Sequence, residues 1–196
     1  MKPHRLWATL IALAFCALAC TAGGAPTPTS VPPPTPIADA APYLCELVPE
    51  QAFRVVSGTT GALAETTTGT GTSGECWAPD TNPHPLEVSW LQVGDGTTQE
   101  HLDFLMNDRR RLYSRYDGVK LPADLGDGMA VRLTNTVLAD QPYRVSAKFR
   151  CGGKDRLVDI YLARVAAGRD GIKDLTALMR IAQKRYGGVY RCTPGE

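Results

Sequence analysis

Cysteine is the residue type with the widest range of possible chemistry in this chain, which has 196 residues and six cysteines. Cysteines bind zinc when they occur in C-x-x-C pairs or close to histidines, and neither arrangement is present here. If the chain is exported to an oxidising compartment, four cysteines can form two disulfides in three ways. The sequence therefore favours disulfide chemistry over a metal site. The four cysteines beyond the N-terminal region are Cys45, Cys76, Cys151 and Cys192.

We predict the pairs Cys45–Cys76 and Cys151–Cys192. The first pair would join the start of the domain to its first strand pair, and the second would join the C-terminal tail to a long alternating strand. Each disulfide would close a loop of about 30 to 40 residues, and chain-entropy models give such a loop at most about 3.5–4 kcal/mol. The alternative is that one or more of these cysteines is a buried free thiol.

Other motifs that could carry chemistry are weak. Residues 69–74 match G-x-G-x-x-G, but a dinucleotide site requires this motif to open a helix, and residues 75–79 (ECWAP) cannot form one. We therefore predict a flexible loop at this place. His84 lies between two prolines, and His101 has no second histidine four residues later. The sequence thus predicts no catalytic, metal-binding or cofactor-binding residues.

One basic segment lies at the end of a predicted helix. Guanidinium groups and aromatic rings together can bind anions, so this segment is a possible patch for anionic envelope polymers or lipid headgroups. The alternative, which we favour, is that these cations are solvated and suit the C-terminal end of the helix dipole. A net charge of +1 argues against a general nucleic-acid-binding protein. The patch consists of Arg109, Arg110, Arg111, Tyr113, Arg115 and Tyr116.

The N-terminal sequence has the pattern of an export signal. Residues 1–5 are basic and residues 6–19 carry no charge, which is too short a stretch to span a bilayer as a helix. Cys20 directly follows Ala17-Leu18-Ala19, and this arrangement resembles the lipobox of bacterial lipoproteins, in which the cysteine is lipidated after cleavage. The alternative is an ordinary A-x-A cleavage site, which would give a secreted protein.

The chain is therefore predicted to have three parts. Residues 1–19 would be a lipoprotein signal peptide. Residues 20–42 would be the lipidated Cys20 and a disordered tether, since residues 21–42 contain seven prolines and one charged residue, Asp39. Residues 43–196 would form a single extracytoplasmic domain, which is long enough to bury one adequate core.

The pattern of the domain predicts an α+β fold with a curved antiparallel sheet flanked by helices. The clearest strand covers residues 143–151, and a glycine turn leads from it to an antiparallel partner over residues 157–165. A capping box at residues 97–100 opens one helix. Asp170 opens another helix, which Gly187 is predicted to close. The remaining predicted elements are a short helix at residues 49–56 and strands near residues 62–68, 76–78, 86–93 and 129–133.

Several short motifs carry a family resemblance. Residues 45–50 (CELVPE), the Gly/Thr-rich span after them and Cys76-Trp77 resemble the head of a family of small actinobacterial lipoproteins whose domain has no assigned function. Residues 125–130 (LGDGMA), the hairpin at residues 145–162 and the closing helix are also similar to that family. The resemblance implies an exported, usually lipidated protein with a Cys45–Cys76 disulfide, and it supplies no catalytic residues. The order of helices and strands is also similar to the PsbP-like fold.

From these observations we expect a palmitate-bearing lipoprotein on the outer face of a bacterial cytoplasmic membrane. The domain would have no enzymatic activity and no cofactor, and it would bind an envelope protein or polymer or act as an accessory sensor. The alternative is a secreted or anchored hydrolase that acts on cell-wall material. A hydrolase would require a cleft with converging carboxylate, histidine or serine groups.

Overall fold

A computed structural model of the chain describes residues 35–138 and 140–196. Within these ranges the α+β prediction is confirmed, with three α-helices, a seven-stranded antiparallel sheet and a small two-stranded sheet. The predicted signal peptide, Cys20 and most of the predicted tether lie outside the described residues. No helix of the described part is both long enough and apolar enough to cross a membrane.

The helices are α1 (Glu50–Ser57), α2 (Gln99–Ser114) and α3 (Gly171–Tyr190), and a 3-10 helix covers Ala123–Leu125. The small sheet pairs β1 (Tyr43–Leu44) with β2 (Val48–Pro49). The strands of the large sheet are β3 (Thr66–Gly69), β4 (Ser73–Trp77), β5 (Leu86–Gln92), β6 (Val119–Lys120), β7 (Asp127–Arg132), β8 (Tyr143–Cys151) and β9 (Lys154–Leu162). Their spatial order is β3-β4-β5-β9-β8-β7-β6, and every neighbouring pair is antiparallel.

Helices cover both faces of the large sheet. On one face, called here the α3 face, α1 and α3 bury the main core, in which Phe53 and Leu178 pack with strand residues such as Ile160. On the opposite face, called the α2 face, α2 forms smaller clusters with the sheet through Met106 and Tyr113. Because side chains alternate along a strand, each strand supplies both faces.

The predicted elements are largely present, with shifts at their ends. The alternating strand at residues 143–151 is confirmed as β8, whereas its partner β9 begins and ends three residues earlier than predicted. Asp170 caps α3, where its side chain accepts hydrogen bonds from the N–H groups of the second and third residues after it, both at 3.1 Å. Thr98 caps α2 in the same way.

Gly187 does not end α3, and this prediction was wrong. The helix continues to Tyr190 and ends at Arg191, which has a left-handed backbone. A Cβ atom on Gly187 would lie 2.6 Å from the carbonyl oxygen of Cys192, so glycine is needed there because the C-terminal segment passes close to the helix.

Both predicted disulfides are present. The Cα atoms of Cys45 and Cys76 are 5.6 Å apart and those of Cys151 and Cys192 are 5.2 Å apart, within the usual range for a disulfide. The first disulfide joins the turn after β1 to β4, and the second joins the C-terminal segment to the end of β8. The two ends of the described chain are therefore both covalently attached to the large sheet.

Part of the predicted tether lies against the domain. Ile37 packs on the main core, and the carboxylate of Asp39 lies 2.7 Å from the ammonium group of Lys184 on α3. The carbonyl oxygen of Thr35 accepts a hydrogen bond of 2.9 Å from Arg169. Residues 35–42 are thus in contact with the folded domain, ahead of the boundary predicted at residue 43.

Candidate functional site

The α2 face of the sheet carries an unusual number of polar side chains, and the strand register arranges them in rows. One row contains Thr68, Glu75, Ser89, Asp159 and Ser146, in the order β3, β4, β5, β9 and β8. Helix α2 packs on β7, β8 and β9. The row therefore begins under the helix and continues onto the part of the face formed by β3, β4 and β5.

The buried end of this row is an ion pair between the sheet and α2. Asp159 is only 3% exposed, and Arg109 binds both of its oxygen atoms, with Nε–Oδ1 at 2.7 Å and Nη2–Oδ2 at 2.6 Å. Ser89 donates a further hydrogen bond of 3.1 Å to Oδ2, and Ser146 donates one to Oδ1. Such a bidentate, fully hydrogen-bonded pair holds α2 at a fixed position over the sheet.

Two tyrosines extend this network beneath α2. The hydroxyl group of Tyr113 lies 2.9 Å from Oγ of Ser146. Burial, with the nearby charge of Asp159, raises the pKa of Tyr161 to about 12, and burial raises the pKa of Tyr113 well above its ordinary value. Burial alone would lower the pKa of Arg109, but the hydrogen bonds and charge of Asp159 outweigh that effect and raise it. The two tyrosines are therefore neutral and Arg109 is charged throughout the physiological pH range.

Beside α2 the row opens into a groove of about 350 Å³. Arg109 and Asp159 form its inner end, Leu105 and Leu157 form its apolar wall, and Glu75 is its exposed carboxylate. Glu87 lies in the next row, on the same face of the sheet. Burial, followed by the charge of Glu75, raises the pKa of Glu87 above its ordinary value. The groove therefore offers hydrogen-bonding groups and one carboxylate, that of Glu75, which no cation of its lining neutralises.

The six residues of the predicted anion patch are not all on one surface. Tyr113 is 1% exposed, so it cannot contact a ligand from solvent, and Arg109 is occupied by Asp159. Arg110 is paired with Asp127. Arg111 and Arg115 are exposed, Tyr116 is half-buried, and Arg111 lies 3.2 Å from Asp108.

The prediction of an anion-binding patch is therefore wrong for Arg109 and Tyr113. Arg109 is bound to the buried carboxylate of Asp159 on β9, and Tyr113 is buried between α2 and the sheet. For Arg110, Arg111, Arg115 and Tyr116, anion binding stays a prediction.

The glycine motif at residues 69–74 forms the turn of the β3–β4 hairpin and does not open a helix. The N–H of Thr70 donates to the carbonyl oxygen of Ser73 at 2.7 Å, and the indole N–H of Trp90 donates to the carbonyl oxygen of Thr70 at 2.8 Å. The segment is therefore a hydrogen-bonded hairpin turn. Its position beside the groove follows from the pairing of β4 with β5.

A second cavity, of about 510 Å³, lies on the α3 face of the same hairpin. Its lining includes the Cys45–Cys76 disulfide, Thr67, Glu65 and Tyr190. The N–H of Cys45 donates to the Glu65 carboxylate at 2.7 Å. The two sulfur atoms and this carboxylate lie within 4.8 Å of one another, but disulfide-bonded sulfur is not a thiolate and does not form a metal-binding set here.

Comparisons with protein-family models, with curated proteins and with solved structures give no match. The likeness to the actinobacterial lipoprotein family and to the PsbP-like fold therefore stays a prediction from the sequence.

Proposed function

We propose that this chain is an exported, lipid-anchored domain of the bacterial cell envelope that binds a partner through its acidic groove and does not catalyse a reaction. The observation that carries the proposal is the pair of disulfides, in which Cys76 and Cys151 are fully buried. Stable disulfides are typical of proteins outside the reducing cytosol. They support export, and the N-terminal pattern that ends at Cys20 supports a lipid anchor.

The anchor is tested by metabolic labelling with an alkyne analogue of palmitate. We expect label on the wild-type protein and none on Cys20→Ala. Cys16→Ala is the matched control, because that cysteine lies inside the predicted signal and the label should be unchanged. An unlabelled wild type, or equal label on Cys20→Ala, would contradict the lipid anchor.

The chemistry of the groove favours binding over catalysis. Ser89 is not paired with a base that could activate it, because it donates to Asp159, whose charge is already neutralised by Arg109. The lining residues include no histidine. Exposed hydrogen-bonding groups and the Glu75 carboxylate are suited to hold a cationic partner.

Binding at the groove can be tested in the native membrane with a photo-crosslinking amino acid at Thr68, which lines the groove. Val137 is the control position, since it is 98% exposed and does not line the groove. We expect a crosslinked species at Thr68 and none at Val137. Crosslinking at neither position, or equally at both, would refute a specific partner at this face.

The alternative function is a hydrolase, and one observation favours it. Glu75 and Glu87 lie close together on one face, and a carboxyl group with a raised pKa next to a second carboxylate can act as a general acid. A hydrolase would release soluble fragments from purified cell-wall material, and Glu87→Gln would abolish the release. Glu100→Gln, at an exposed position on α2, is the matched control. Release of fragments that depends on Glu87 would replace the binding proposal.

A further inference from the structure

Strand β3 forms one edge of the large sheet, and its outer hydrogen-bonding groups are free. The N–H of Thr70 bonds to Ser73, and N–H and C=O groups alternate in direction along an antiparallel strand. Thr66 and Thr68 therefore bond to β4, whereas Thr67 and Gly69 direct their backbone groups away from the sheet. The bond from the N–H of Gln92 to the carbonyl oxygen of Thr72 confirms this alternation on the opposite side of β4. In the described part of the chain, no group pairs with the outer edge of β3.

The free edge lies between the two cavities. Thr68 and Gly69 line the groove on the α2 face, and Thr67 and Gly69 line the cavity on the α3 face. A strand added to this edge would direct successive side chains to alternate faces. One residue of an added strand would therefore reach the groove, and its two neighbours would reach the other cavity.

Both cavities carry negative charge. Their lining residues include four carboxylates, Glu46, Glu65, Glu75 and Asp159, and one cation, Arg109, which is paired with Asp159. This leaves Glu75 on the α2 face, and Glu46 and Glu65 on the α3 face, without a cation among the lining residues. Two interstrand spacings, about 10 Å, separate an added strand from β4, a distance that a lysine or arginine side chain and the side chain of Glu75 can span together.

We propose that the β3 edge binds an extended segment of a partner protein that carries two adjacent basic residues, added to the sheet as an eighth strand. Backbone hydrogen bonds to Thr67 and Gly69 would provide affinity, and the two basic side chains, on opposite faces, would provide selectivity. The proposal deepens the proposed function and rests on it for the existence of a partner. A second copy of this chain is disfavoured at the edge, because pairing β3 with β3 would bring like carboxylates together on both faces.

The test uses the full-length protein, purified in detergent, and three fluorescent hexapeptides with blocked ends. The first has the sequence TVKKVT, and the second, TVEEVT, replaces both lysines with glutamates and keeps the rest of the peptide. The third is TVKKVT with every backbone nitrogen methylated, which leaves no N–H on either edge and so prevents it from pairing with a strand edge. We expect the first peptide to bind at least fivefold more tightly than the second, and the third to show no binding by fluorescence anisotropy.

Variants of the protein test the same contacts from the other side. Thr67→Pro removes the outward N–H without removing a bond to β4, so we expect loss of binding with an unchanged melting temperature. Thr67→Val keeps that N–H and should bind like the wild type. Glu75→Gln should weaken binding of TVKKVT about two- to fivefold, which is the effect of one partly exposed ion pair.

Equal binding of TVKKVT and TVEEVT, binding of the N-methylated peptide, or unchanged binding to Thr67→Pro would overturn the proposal, as would the absence of binding. Dimers that dissociate on Thr67→Pro would assign the edge to a second copy instead. The palmitate label tests the proposed function separately: a labelled protein that binds no peptide refutes only this inference, and an unlabelled protein that binds TVKKVT refutes only the anchor.

Discussion

Replacing Asp159 with asparagine removes the one anionic partner that the described residues provide for Arg109, whose guanidinium group is mostly buried between α2 and the sheet. The side chain of Arg109 is 20% exposed and that of Asp159 is 3% exposed. In the variant, Arg109 keeps its charge but loses the carboxylate that accepts hydrogen bonds from its Nε and Nη2 groups. Ser89 and Ser146 lose a charged acceptor at the same time. The loss of stability in this variant therefore measures the free-energy cost of a buried, unpaired charge.

The expected loss in the free energy of unfolding is about 3–5 kcal/mol, which is typical when one partner of a buried ion pair is removed. With a urea m-value of about 2 kcal/mol per molar, this corresponds to a midpoint lower by about 2 M. Removing both charges in Arg109→Met/Asp159→Asn should cost less than the two single changes together, with a coupling energy of at least about 1.5 kcal/mol.

Urea unfolding followed by tryptophan fluorescence measures these differences, since Trp77 and Trp90 both lie in the sheet next to the groove. Arg111→Met is the matched control on the same helix, because its side chain is 66% exposed and should cost less than about 0.5 kcal/mol. A loss below 1 kcal/mol for Asp159→Asn, or strict additivity in the double variant, would show that the pair does not hold α2 to the sheet.

Three further predictions concern other parts of the domain. A Cβ on Gly187 would clash with the C-terminal segment whereas one on Gly188 meets nothing within 4 Å, so Gly187→Ala should lower the melting temperature and Gly188→Ala should raise stability by about 0.5–1 kcal/mol. Burial and a neighbouring carboxylate raise the pKa of Glu87, so the folded state gains stability when this group is protonated. Glu87→Gln, which is always neutral, should therefore be more stable than the wild type at pH 7. Urea titrations below pH 4.5 should show no difference in stability between the two proteins. Removing the disulfide in Cys151→Ala/Cys192→Ala, which opens a loop with a sequence separation of 41, should cost about 2–4 kcal/mol, and a calorimetric loss below 1 kcal/mol would contradict the entropic argument.

The strands that the sequence predicts well are those with one polar face. Strand β8 has this pattern, and its bounds were predicted without error. Strand β9 was displaced by three residues, because it lies between β5 and β8 with both faces covered and its alternation is lost. Arg156 and Asp159 are buried in this strand. In a sequence, charged residues at such positions ordinarily indicate a strand end or a turn.

The candidate site could not be predicted from the sequence, for a related reason. Arg109 looked like a solvated cation at a helix end, since its partner is 50 residues away and on another element. Glu75 and Glu87 become neighbours only through the register of β4 and β5. The disulfides could be predicted from the sequence, because four cysteines in an exported domain have few possible pairings and because disulfides often attach the ends of a chain to its core.

The Cys45–Cys76 disulfide also determines how the domain would respond to tension. A pulling force on the chain before residue 35 would first peel off residues 35–44, which are held by contacts such as the ion pair of Asp39 with Lys184. Peeling would stop at Cys45, where the load enters β4 through the covalent bond, and β4 is hydrogen-bonded directly to β3. A partner held on the β3 edge would thus be connected to the N-terminal segment of the chain through one disulfide and one hairpin.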